Sequence, residues 1–194
     1  LWINGRMVVF EGGLKRAPSP YDTYYDSVEI APYLTSGENT IAVLVWHFGK
    51  NGFSHVNSGL AALLFEAIAP GIEIVSDKSW SCRVYDAYQN TGAPYPNYRL
   101  SESNIRFDAR MEMSGWNQPG YTGKMPNAEI ISSVGVAPLG KLVERPVPLW
   151  KDYGLKPYVS VRRSSAGDTL YCRLPYNSQV TPYLKVEAPA GKVI

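Results

Sequence analysis

Short β-prone runs follow one another along the chain at the spacing expected of a β-sandwich, at residues 2–3, 7–10, 28–30, 40–46, 60–68, 72–75 and 79–85. Turn signals separate them. Asn4-Gly5 is a hairpin turn because both residues tolerate positive φ, and Ser36-Gly37-Glu38-Asn39 closes the run before 40–46. The piece "GLAALLFEAIA" has helical propensity, but Pro70-Gly71 ends it abruptly and its neighbours are all strands, so it reads as strand. Within 40–46, alternation sets Val43, Val45 and His47 on one face and Ala42, Leu44 and Trp46 on the other.

Residues 86–123 read as a long irregular segment with one strand at 104–109, and such segments either lie over a surface or carry function. Strand character resumes at 128–139. Residues 143–157 then form an extended connector, since Pro146 and Pro148 exclude helix. Beyond it, 158–163, 169–174 and 180–186 look like three strands of a second β domain, with Ala166-Gly167-Asp168 as a turn. The expected organisation is therefore a β-sandwich over 1–142 lacking its first strands, a Pro-rich linker over 143–157, and the opening strands of a second β domain over 158–194. Its incomplete sheets would leave open edges unless completed elsewhere. The start "LWING" already reads as strand, which suggests a cut within a longer protein.

Composition supports the all-β reading, because 14 Tyr and 5 Trp alongside 15 Pro and 17 Gly suit short strands joined by tight turns. The net charge of +2 comes from 19 basic and 17 acidic residues without blocks, which argues against nucleic acid as a partner. No apolar run approaches the roughly 18 residues of a membrane span. Cys82 and Cys172 stand far apart with neither a C-x-x-C spacing nor a His pair, so neither a zinc site nor a disulfide framework is indicated.

Five pieces carry a resemblance: "LWINGRMV", "YDSVEIAPYLTSGENTIAVLVWHFG", "SDKSWSCR", "RFDARMEMSGWNQPG" and "LVERPVPLW". In order and spacing they resemble the non-catalytic N-terminal β-sandwich of bacterial α-L-rhamnosidases. The Tyr25-Asp26 to Gly37-Glu38-Asn39 element is shared by many galactose-binding-like sandwiches, and Phe107-Asp108-Ala109-Arg110 with Gly115-Trp116 narrows the likeness to rhamnosidase-like enzymes. Ser76 stands where the family commonly has Thr, and Phe107 where it has Tyr.

The resemblance implies a galactose-binding-like jelly roll over about 1–150, in an enzyme that hydrolyses terminal α-L-rhamnose with inversion. Its two acidic residues would lie on an (α/α)6 barrel several hundred residues downstream. Inversion needs a general acid and a general base roughly 6.5–9.5 Å apart with water between, and nothing in this sequence marks such a pair. The fragment is accordingly expected to be inactive and to serve as an accessory region. Its implied partners are the catalytic domain of the same polypeptide and a plant or microbial rhamnose-containing glycan, in a periplasmic or extracellular setting. Two other readings stand beside it, a free-standing lectin-like carbohydrate-binding module and a purely structural spacer.

Two loops offer carbohydrate-contacting candidates. One is Trp46, His47, Asn51 and His55, where an aromatic ring can stack on a pyranose face while imidazole and amide groups bond hydroxyls. Its alternative is that Trp46 is a core anchor of a strand apolar on both faces. The other is Tyr21, Asp22 and Tyr24 in "PSPYDTYYD", with packing as the alternative. Asp22 also suits calcium, but the six to eight oxygen ligands that calcium takes are not assembled by the sequence, so no cofactor is expected. Asp108 and Arg110, two apart on an expected strand, would share a face and pair with a neighbouring strand or domain, or help to seat the catalytic domain. Trp80 and Trp116 read as core and loop anchors.

Overall fold

The computed structural model describes residues 1–10, 19, 21–47, 49, 51, 57–92, 105–137, 139–178, 180, 183, 185 and 187–189. It divides into two compact units, Leu1–Trp150 and Lys151–Ile194. The described residues are nearly all-β, in small sheets joined by turns, with two short 3-10 turns at Ala31–Tyr33 and Ala109–Met111.

The first unit opens with β1 (Trp2–Ile3) and β2 (Arg6–Met7), joined by the Asn4-Gly5 turn, whose residues have φ of 50° and 77°. Strand β4 (Ile41–Ala42) pairs antiparallel on the other edge of β1, with Ile3 opposite Ile41. Ile3 is fully buried and Ala42 nearly so, and with Ala87 they form the enclosed hydrophobic positions among the described residues. Two asparagines lock this sheet. Asn4 accepts from the Thr40 amide (2.9 Å) and donates to the Asn39 side-chain oxygen (2.8 Å), which also accepts from the Thr35 amide (2.8 Å).

Strand β3 (Thr23–Tyr25) pairs parallel with β9 (Leu142–Glu144), across more than a hundred residues of chain. Arg145 continues this pairing through its amide to Tyr25 and binds the Asp26 carboxylate at 2.5 Å. Strands β5 (Glu66–Ala69) and β6 (Ile72–Val75) form a hairpin around Pro70-Gly71. Strands β7 (Tyr88–Asn90) and β8 (Ile105–Phe107) pair antiparallel. An edge-to-face chain of rings links the regions: Trp2 to Trp116 at 5.2 Å, Trp116 to Tyr85 at 6.1 Å, Tyr85 to Tyr88 at 5.2 Å and Tyr88 to Phe107 at 5.0 Å.

The second unit contains the antiparallel pair β10 (Ser160–Arg163) and β11 (Leu170–Arg173), exposed throughout and closed by a turn in which Asp168 accepts from Ser164 Oγ at 2.7 Å.

Several expected strands are shorter or absent. Of the 7–10 run only Met7 is strand, as the end of β2, and of 40–46 only Ile41–Ala42. Residues 28–30 lead instead into the Ala31–Tyr33 turn, where Pro32 enters at the start of a 3-10 helix. Of 60–68 only 66–68 lie in β5, the part that faces β6. Residues 79–85 hold a single bridge, Ser81 to Asn127, and 128–133 form no strand, with turns at 134–137. Within the expected irregular segment β7 and β8 pair, while Val143 and Glu144, read as connector, belong to β9. Residues 93–104 and most of the 180–186 run lie outside the described residues.

Candidate functional site

Beyond Ala42 the chain leaves its sheet and its side chains move outward. Ala42 is 8% exposed, Val45 42% and Trp46 51%, followed by exposed His47. Trp46 thus lies beyond the end of β4, with about half of its surface open to solvent. The loop after it is closed by polar contacts: the Asn57 amide donates to Asn51 Oδ1 at 2.9 Å, and Asn57 Nδ2 donates to the Gly49 carbonyl at 3.1 Å. Asn51 is thereby engaged by Asn57. His55, the fourth candidate of this group, lies outside the described residues.

The second loop behaves differently. Tyr21 is 80% exposed, but Asp22 faces the protein: Oδ2 accepts from Ser19 Oγ at 2.8 Å and Oδ1 from the Lys141 amide at 3.1 Å. Thr23 Oγ1 donates to the Leu139 carbonyl at 2.6 Å, so the start of β3 is held against the entry to β9. Tyr24, half-buried opposite Val143, belongs to that junction. Asp22 is thereby a fastening residue, and the two loops rise from different sheets.

Asp108 and Arg110 correct a further expectation. Strand β8 stops at Phe107, and Asp108 caps the following 3-10 turn, accepting from the Arg110 amide at 3.1 Å and from its guanidinium at 2.8 and 2.5 Å. Their side chains pair with each other, while the Asp108 amide bonds the Ala87 carbonyl beside β7. The bonds from Arg110 hold the Asp108 carboxyl down at about 2. Asp77 is lowered by the hydroxyl and amide of Ser79, and Asp168 by the hydroxyls of Ser164 and Thr169, both as turn-forming acceptors. Each of these shifted carboxylates is thus tied to a local turn. Among the described residues no group of three or more His, Cys, Asp or Glu is gathered as a metal site. Trp80 is anchored through Nε1 to the Val75 carbonyl at 2.9 Å and against Phe65 at 5.3 Å.

One surface pair was missed by the sequence reading. Phe10 and Trp150, 57% and 67% exposed, lie 6.3 Å apart with their planes 33° from each other. The open signal was a Trp in the proline-stiffened "PVPLW", where extended backbone cannot bury a large ring within its own segment.

Comparison with protein-family models, with curated proteins and with solved structures found no match.

Proposed function

We propose that this chain is a non-catalytic accessory region of an α-L-rhamnosidase-like glycoside hydrolase. In this reading its first unit is a galactose-binding-like sandwich that supports the catalytic domain and contacts carbohydrate beside Trp46. The ordered run of sequence pieces and the nearly all-β structure support the family part. The contact part is carried by one observation: Trp46, four residues beyond the end of the strand that follows the Gly-Glu-Asn turn, is half exposed, with exposed His47 next to it.

An indole face that meets water can stack on the C–H face of a pyranose, and neighbouring polar groups then fix the hydroxyls. One such stack on an open loop corresponds to weak binding, in a range of about 1 mM. Tyr21 and Tyr24 sit at a fastened junction and are secondary to Trp46, and Asp22 serves the β3–β9 junction.

The test is a titration of L-rhamnose, galactose and a rhamnose-containing oligosaccharide into the 194-residue chain, followed by tryptophan fluorescence and repeated with Trp46→Phe and Trp46→Ala. A saturable change that W46F weakens and W46A abolishes is the expected result. An unaltered response in W46A, or none in the unsubstituted chain up to tens of millimolar, removes sugar contact and leaves a supporting role. The coding sequence downstream separates this reading from a free-standing lectin-like module, since only the former continues into a helical toroid with paired acidic residues.

A further inference from the structure

The two units differ in charge. Residues 151–194 carry seven Lys and Arg against three Asp and Glu, a formal +4, whereas residues 1–150 carry twelve against fourteen. The balanced total hides this asymmetry, and in the second unit the positive charge has a structural focus.

In the β10–β11 pair, Arg162 stands directly opposite Tyr171 and Ser160 directly opposite Arg173. Residues opposite each other, and their second neighbours along the strand, project to one face. Ser160, Arg162, Tyr171 and Arg173 therefore share a face, while Val161, Arg163, Leu170 and Cys172 share the other. An open hollow of about 350 Å³ at this pair is lined by Ser160, Arg162, Tyr171 and Arg173 of the first face, and by Cys172.

Arg162 is already oriented. Its guanidinium carbon lies 4.7 Å from the centre of the Tyr171 ring, which occupies the flat side of the cation and leaves its N–H edge for an acceptor. Arg173 is its diagonal neighbour, at a spacing of about 7–8 Å for such positions. Two cations therefore share this one face, where an anion would relieve their mutual repulsion. Two of the three acids of the unit are engaged elsewhere: Asp168 accepts from Ser164 and Thr169, and Asp152 from the Gly154 amide. Among the described residues no ion pair engages Arg162 or Arg173.

We propose that this face of the β10–β11 pair is a binding site for an oxyanion, a carboxylate or a sulfate or phosphate group. Arg162 and Arg173 would grip it from two sides, and the Ser160 and Tyr171 hydroxyls would complete the donor set. Planar guanidinium forks suit such groups because two parallel N–H bonds meet two oxygens. The site is independent of the sugar-contact reading at Trp46, which lies in the other unit.

The experiment is NMR of the 194-residue chain labelled with nitrogen-15, at an ionic strength held constant with chloride. Sodium acetate, sulfate, phosphate and digalacturonate are the probes. The arginine Nε–H signals of Arg162 and Arg173 should shift saturably, and R162Q or R173Q should each weaken binding about tenfold or more. R163Q, which removes the same charge from the opposite face, should leave affinity within about twofold. Tighter binding of digalacturonate than of acetate would identify the source as an acidic saccharide, and equal binding would identify free anions, with the site upheld in both cases. Absence of saturation with every probe, or equal weakening by R163Q, would overturn it.

Discussion

The Asp108–Arg110 pair is a local device whose pH dependence follows from its geometry. Asp108 accepts three bonds from one residue, and its carboxyl is held at about 2 against an ordinary 3.8, chiefly by the Arg110 side chain and then by the Arg110 amide. The folded-state value is the lower one. Its stabilising contribution is therefore full above the unfolded-state value and is lost as pH falls from about 3.8 through about 2. Carboxyl NMR titration should place the midpoint near 2 in the unsubstituted chain and nearer 3.8 in Arg110→Gln, and a midpoint near 3.8 in both would contradict the pairing. Asn4 is a second residue-scale device. It is the one non-glycine with positive φ among the described residues, and its side chain bonds the Tyr33 carbonyl, Asn39 and the Thr40 amide. Asn4→Ala and Asn39→Ala should each cost about 1–3 kcal/mol by urea denaturation. Because they share a bond, the double variant should lose less than the sum of the two, and strict additivity would show that the two asparagines act separately.

At the scale of elements, what was legible in the sequence is what is closed locally. Asn4-Gly5 turns β1 into β2, Pro70-Gly71 turns β5 into β6, and Ala166-Gly167-Asp168 lies between β10 and β11, each with its turn residues beside the strands they join. The parallel β3–β9 pair was not legible, because no turn announces a partner so distant in the chain and a Pro-rich stretch concealed Leu142–Glu144. The length of 40–46 was overread for the opposite reason: its apolar residues continue, but β1 offers partners only as far as Ala42. The site followed the same rule. Trp46 and His47 are exposed because pairing ends before them, whereas the inward turn of Asp22 depends on Lys141, which no local pattern reveals. The β3–β9 junction also has a sensitive point at Gly140, which has φ of +62° and whose missing side chain would run into the Tyr21 carbonyl. Gly140→Ala should lose at least about 1–2 kcal/mol from the left-handed backbone alone, and more from the displaced Tyr21. Hydrogen exchange should locate the loss at the Thr23 and Arg145 amides, which the junction protects; unchanged exchange there would contradict this placement.

At the scale of the whole molecule, the enclosed hydrophobic set is small and the open one is large. Among the described residues Ile3, Ala42 and Ala87 are enclosed, while Ile68, Val84, Ile130, Val147 and Leu155 are each 60% exposed or more. Scattered apolar residues are ordinary on a protein surface, but extended apolar areas mark places where another surface sits. A supporting region that seats a catalytic domain of the same polypeptide would need such areas, and these exposed side chains are the candidates to supply one. If so, the isolated chain should bind the apolar dye ANS in its folded state, while a longer polypeptide carrying the catalytic domain should bind markedly less of it per molecule. Ile68→Thr and Val84→Thr, at positions 75% and 77% exposed, should reduce dye binding in the isolated chain while changing its stability by no more than about 0.5 kcal/mol. Substitutions that unfold the chain instead would place these side chains inside its own core. Equal dye binding by the short and the long polypeptide would mean that the catalytic domain rests elsewhere, and the accessory role would then have to be argued from carbohydrate contact at Trp46 alone.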